Sequence, residues 1–161
     1  MRCFIFTGTS APRLIAGAIL AVFLAGCAAT VELAAPEEDL AAKRFIPEEG
    51  HANLYVTRED QFTGSAVLFQ LVVDQHAIGG IAPGTYHLIP VEPGHHTISV
   101  TTAENQSIEE VDVEAGRSYF FEVKPQMGWF AARAEVDPLS EEEGRAAIAD
   151  NALAEGLDSP D

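Results

Sequence analysis

Cysteine is nearly absent from this chain of 161 residues: Cys3 and Cys27 are the only two. The body of the protein therefore has no cysteine for a disulfide framework or a cysteine metal cluster. Positive charge is scarce as well, with 9 Lys and Arg against 25 Asp and Glu and a net charge of −16. That balance repels a polyphosphate instead of drawing it in by counterion release, so nucleic acid is not an expected partner. The sequence contains no Gly-x-Ser-x-Gly nucleophile elbow and no phosphate-cradling glycine loop. Its longest apolar run, Leu14 to Gly26, falls short of the roughly 20 residues that cross a bilayer as a helix. What remains, with 47% apolar residues, is enough for one packed core and too little for a long multidomain enzyme.

The N-terminus supplies an address. Residues 1–26 hold Arg2 and Arg13, no acid, and then the apolar run, which is the outline of a secretory signal peptide. The run ends in Leu24-Ala25-Gly26-Cys27, which resembles the bacterial lipobox. The resemblance implies cleavage before Cys27, a diacylglyceryl thioether on its sulfur and acylation of its new amino group. Two or three acyl chains hold a protein stably on a membrane, at about 0.8 kcal/mol per buried CH₂, where one chain does so only marginally. By the sorting rule of enteric bacteria, Ala28 after the cysteine favours the outer over the inner membrane. Cleavage removes Arg2 and Arg13 and no acid, taking the net charge from −16 to −18.

Residues 27–49, rich in Ala, Glu and Pro, read as the lipidated cysteine and a flexible linker, with two helical turns over Pro36–Arg44. Fully extended, some 22 residues reach at most about 70 Å, so the linker is expected to hold the domain clear of the membrane. Residues 50–155 form the expected domain, and 156–161 a disordered tail. Short runs of β-branched and aromatic residues, broken by Gly, Pro, Asp and Asn, place strands at 52–58, 65–73, 76–79, 84–91, 95–102, 107–114, 117–124 and 129–136. Apolar residues on both faces of 65–73 predict a central strand covered on both sides, whereas 117–124 alternates as if one face were buried. Ser140 and Glu143 form a capping box that opens a helix over 141–154, with Gly156 as its stop. The fold class is all-β: a small antiparallel β-sandwich of about 7–8 strands with a C-terminal helix.

Leu54-Tyr55-Val56-Thr57-Arg58, Val72-Val73-Asp74, Ile78-Gly79-Gly80, Gly84-Thr85-Tyr86, Val91-Glu92-Pro93-Gly94-His95-His96 and Gly116-Arg117-Ser118-Tyr119-Phe120 together resemble the bacterial lipoprotein family of domain of unknown function 2846. That family is similar to PEGA-type surface modules. The resemblance covers about residues 50–155 and implies a small β-sandwich-like domain in the cell envelope, with no established activity. Where that family carries a basic residue after the Pro-Gly turn, this chain has His95.

The candidate site residues are few. His87, His95 and His96 invite a metal or small-ligand site, with Asp74 or Glu92 as a third ligand, but their spacing matches no metal motif and fits exposed turn histidines better. Glu110, Asp112 and Glu114 alternate as on a solvated edge strand. Trp129, the only Trp, lies in a turn with Phe130; it either closes one end of the sandwich core, the favoured reading, or forms an exposed contact for a partner. Arg58 and Tyr86 join His95 and Trp129 as candidate binding residues, Arg58 also reading as an ion-pair partner for the many acids and Tyr86 as a packing anchor. No catalytic residue, metal ligand set or cofactor is expected. The expected role is a non-catalytic, lipid-anchored envelope lipoprotein facing the periplasm, held to the membrane through acyl chains on Cys27 and bound to an envelope protein. The alternative is a periplasmic ligand- or metal-binding protein using His87, His95 and His96, and a hydrolase ranks last.

Overall fold

A computed structural model describes residues 29–156. The expected signal peptide, Cys27 and residues 157–161 of the expected tail lie outside the described residues. The elements run α1 (Pro36–Ala42), β1 (Ala52–Arg58), β2 (Phe69–Val73), β3 (His76–Ile81), β4 (Thr85–Val91), β5 (Gly94–Thr101), β6 (Gln106–Val113), β7 (Ser118–Gln126), β8 (Arg133–Leu139), α2 (Glu141–Asp150) and β9 (Ala152–Leu153). Two sheets face each other, one ordered β8-β7-β1-β4-β9 and the other β3-β2-β5-β6. This is the expected two-sheet β architecture with a C-terminal helix.

Two pairings depart from the antiparallel expectation: β1 runs parallel to β7, and β4 parallel to β9. A parallel neighbour needs a long crossover. Here the chain leaves β4, builds β5 and β6 in the second sheet, and returns as β7. Counting hairpin turns along the sequence cannot see that return.

The main core lies between the sheets, where Leu54, Val56, Phe121 and Val123 meet Phe69, Leu71, Ile98 and Val100. A second apolar layer covers the other face of the larger sheet: Tyr55, Tyr86 and Phe120 pack with Ala42 of α1 and Ile148 of α2. β1, in the middle of that sheet, is consequently buried at all seven positions. Burial on both faces belongs to β7 as well, whose Phe120, Phe121, Glu122 and Val123 are all buried. The expectation for β2 is corrected in the opposite sense. It is central in its sheet, but Gln70 is exposed and Val72 half-exposed, so only one face is covered.

The C-terminal helix stops at Asp150, short of the expected 154, and Asn151 rather than Gly156 ends it. Residues 152–153 are β9, whose short edge pairs with Thr85 and Tyr86. Ser140 and Glu143 form the reciprocal capping box. Gly144 faces Phe120 so closely that a Cβ there would lie inside van der Waals contact with the ring, which lets α2 approach β7.

The expected flexible linker is folded onto the domain from Ala29 onward. Ala29 N donates to Ser65 O at 2.8 Å, Ala34 N to Leu153 O at 3.0 Å, and Glu155 N to Glu32 O at 2.9 Å. In α1, Asp39 accepts from Tyr86 Oη at 2.8 Å and from Leu153 N at 3.0 Å, while Tyr55 Oη donates to Ala42 O at 2.7 Å. A seven-residue helix is too short to persist alone; these buried hydroxyls hold it. Of the helix's own apolar residues Ala42 is buried and Leu40 exposed, so hydrogen bonds do most of the docking.

Candidate functional site

Register fixes two ends of the sandwich. Arg58 pairs with Thr85 and Ala52 with Val91, so one end carries Arg58 and the other the β4–β5 turn, about 20 Å away along a seven-residue strand. The sequence-predicted site residues do not meet: Arg58 and Trp129 belong to the first end, His95 and His96 to the second. Tyr86 lies under α1.

At the first end, the strand alternation that buries Leu54 and Val56 also carries Arg58 inward. Its guanidinium lies over the Phe69 ring, 4.3 Å from the centroid. It donates to Val67 O at 2.7 Å, Ile81 O at 3.2 Å and Gly64 O at 2.7 Å, and Nε is left without a partner. Arg58 is therefore not the expected ion-pair partner or contact residue. Its charge ties the β1–β2 loop and β3 to the larger sheet, and burial lowers its pKa to about 10, so it remains charged at neutral pH. His87, on the neighbouring strand, points to the same interior and bonds Gly80 O through Nε2 at 2.9 Å. Burial depresses its pKa against the opposing effect of that bond, which keeps it neutral. His87 is thus not the expected exposed turn histidine, and it is separated from His95 and His96.

The β1–β2 and β7–β8 loops touch at this end. A Cβ on Gly64, which holds φ +73°, would stand 2.9 Å from Pro125 Cβ. Between them lies an open groove of about 300 Å³ lined by Thr63 and Gly64 from one loop and Met127, Trp129 and Phe130 from the other. The Glu104 carboxylate organises the second loop by accepting from the backbone N–H of Trp129 at 3.0 Å, of Phe130, and of Ala131 at 2.6 Å. Those three donors hold Glu104 below the ordinary carboxylate range. Trp129 does not close the core. It is 91% exposed, beside Phe62 at 96%, Met127 at 90% and Phe130 at 98%. Because β8 begins at Arg133, the expected strand over 129–136 starts too early, and its first four residues are this loop.

At the second end, the two-residue β2–β3 turn puts Asp74 and Gln75 at φ +48° and +70°. Asp74 Oδ2 meets His96 Nδ1 at 2.5 Å and Oδ1 accepts from Thr97 N at 2.9 Å, while His96 Nε2 reaches Glu92 O at 2.7 Å. Burial opposes the charged form of His96, but the bonds to Asp74 and Glu92 O outweigh it and raise the pKa. Asp74 is depressed: burial raises it, and the bonds from His96 and Thr97 more than compensate. His95 lies on the outer face, 3.1 Å from Asp112 and 3.8 Å from Glu110. The sulfur-free ligand set imagined for a metal is split among three places, and no group of three His, Cys, Asp or Glu converges among the described residues.

β6, carrying Glu110 and Asp112, is the edge strand of the smaller sheet. Across the gap, Asn105 bonds the backbone of Ala134 and Ser107 accepts from Val136 N, so side chains occupy part of the free edge of β8.

Sequence reasoning missed Phe62, Met127 and Glu104, and it favoured the Trp129–Phe130 turn as closing the core over an exposed contact. The available signal was charge: residues 61–73 and 125–132 are uncharged in a chain with 25 acids.

A two-sheet β domain with a helical layer on one side, whose buried Arg58 and His87 bond backbone carbonyls, is the class these features define. The chain belongs to the family described as "Protein of unknown function (DUF2846)", which it matches over residues 48–138. It is also 36% identical over 130 residues to an uncharacterized protein of Haemophilus influenzae, a match that covers 80% of this chain and 76% of that protein. The family match runs from just before β1 into β8, leaving α1, α2 and β9 outside it.

Proposed function

We propose that this protein is a lipid-anchored lipoprotein of the bacterial cell envelope, facing the periplasm and sorted to the outer rather than the inner membrane. Its β-sandwich serves as a non-catalytic interaction domain for another envelope protein. The observation that carries the reading is Leu24-Ala25-Gly26-Cys27 after a basic, apolar leader, two residues before Ala29, which is bonded to the domain through Ser65 O. Support for the interaction role comes from the acidic edge strand, with Glu110 and Asp112 exposed. The interior histidine and arginine are engaged by backbone carbonyls, which suits a structural use of those groups.

The test is cross-linking of the tagged full-length protein in intact cells, with membrane fractionation, beside Cys27→Ser. The expected result is a membrane-bound protein joined to a discrete envelope partner, with both membrane retention and the cross-link lost in Cys27→Ser. A wild-type protein recovered in the soluble fraction overturns the anchor, and an anchored protein without any cross-linked neighbour overturns the interaction role.

A further inference from the structure

The most exposed large apolar side chains of the described residues, Phe62, Met127, Trp129 and Phe130, lie where the chain arrives from Cys27. Ala29 N is bonded to Ser65 O, three residues from Phe62 in the loop that adjoins Trp129 and Phe130. Only Ala28 separates Cys27 from Ala29, so the cysteine lies within about 7 Å of Ala29 along an extended chain. A lipid on Cys27 therefore brings this end, and not the His96 end about 20 Å away, to the bilayer.

The chemistry of the end suits that neighbour. The cleaved chain, at −18, is repelled by anionic head groups, so a surface that meets lipid must lack acids. The two loops meet that condition: residues 61–68 and 125–132 carry no charge, Glu59, Asp60, Lys124 and Arg133 falling at their margins. The Glu104 carboxylate at this end is engaged by three backbone N–H groups. Trp is the residue type that favours the boundary between head groups and acyl chains, with an apolar ring system and one N–H to keep hydrated.

We propose that this end is a lipid-contacting surface: Phe62, Met127, Trp129 and Phe130 enter the interfacial layer of the membrane that holds the Cys27 lipid, and the domain lies on the bilayer instead of standing off from it. The proposal rests on the lipid-anchor reading above. It orients the molecule, with the acidic β6 edge and the Asp74–His96 turn directed away from the surface.

Trp129 is the only Trp in the chain and reports on its own position. The full-length protein is reconstituted into vesicles of phosphatidylethanolamine with a minority of phosphatidylglycerol, bearing bromines high on the acyl chains. Flotation measures anchoring; Trp emission measures contact. The expected result is co-flotation, a blue-shifted emission strongly quenched by the brominated chains, and protection from aqueous acrylamide. Phe62→Ser with Phe130→Ser, both at exposed positions, is expected to keep the melting temperature and flotation while losing most of the quenching. Co-flotation with Trp129 unquenched and open to acrylamide overturns the proposal and leaves the anchor standing. Trp129 shielded from acrylamide but unquenched by lipid overturns it in favour of a protein, or a second copy, covering the loops. Failure of the wild type to float overturns the anchor, and the proposal with it.

Discussion

Arg58 carries a charge into the interior and meets carbonyl oxygens there, three from two different chain segments. Arg58→Ala removes those bonds and opens a cavity against Phe69, at a cost of about 3 kcal/mol or more. Arg58→Lys, which cannot reproduce the planar fork, recovers only part of it. Urea unfolding of the detergent-solubilised protein, followed by circular dichroism, checks the order. Two histidines act in opposite senses with pH. His96 has a pKa raised above its ordinary 6.5, so its stabilisation is complete below 6.5 and is lost as pH rises through the folded value. His87 is depressed below 6.5, so its contribution is complete above 6.5 and is lost as pH falls through its folded value. Asp74 acts in the same sense as His87 but from 3.8 downward. Melting temperatures across about pH 5 to 8 are expected to show the alkaline-side loss in the wild type and its disappearance in His96→Gln. The sequence offered both histidines as equals; which one is buried followed from strand parity on β4 and from the β2–β3 turn, neither of which a spacing rule encodes.

The elements most exposed to misreading are those without a strong period. The stretch before β1 has the composition of a linker, and the hydroxyls of Tyr55 and Tyr86, with backbone bonds to Ser65, Leu153 and Glu155, convert it into a packed strap. Tyr86→Phe is expected to cost about 1.5 kcal/mol, the worth of a hydrogen bond to a charged group, and to speed protease cleavage between α1 and β1, which limited proteolysis with mass spectrometry reads directly. α2 is placed by its glycine. Gly144→Ala gains about 1 kcal/mol of helix propensity but drives a methyl into Phe120, and overpacking of about 1–3 kcal/mol makes the net change destabilising in thermal melts. By contrast β1 was legible to the residue, because Leu54-Tyr55-Val56-Thr57, aromatic and β-branched, lies between Gly50 and the acids Glu59 and Asp60. The β7–β8 loop was not: Phe130 and Ala132 extend the alternation of β8 backwards, and the Glu104 carboxylate, 26 residues away from Phe130 in sequence, captures the N–H groups that a strand would have needed.

For the whole molecule, sequence and fold divide the account between them. The leader and Cys27 speak for an address, the two sheets carry the family's turns and strand anchors, and the ends of the sandwich separate an aromatic surface from an acidic one. With a net charge of −16, or −18 for a chain that starts at Cys27, binding of a cationic envelope partner to the acidic edge is expected to weaken as salt rises through the physiological range. Affinity measured at two ionic strengths checks this, and salt-independent binding contradicts it. The central claim is that Cys27 is the lipidated first residue of the mature protein. Mass spectrometry of the N-terminal peptide of the protein recovered from cell membranes tests it most directly. The account predicts a peptide beginning at Cys27 with a diacylglyceryl thioether; a chain beginning elsewhere, or Cys27 recovered as a free thiol, contradicts it.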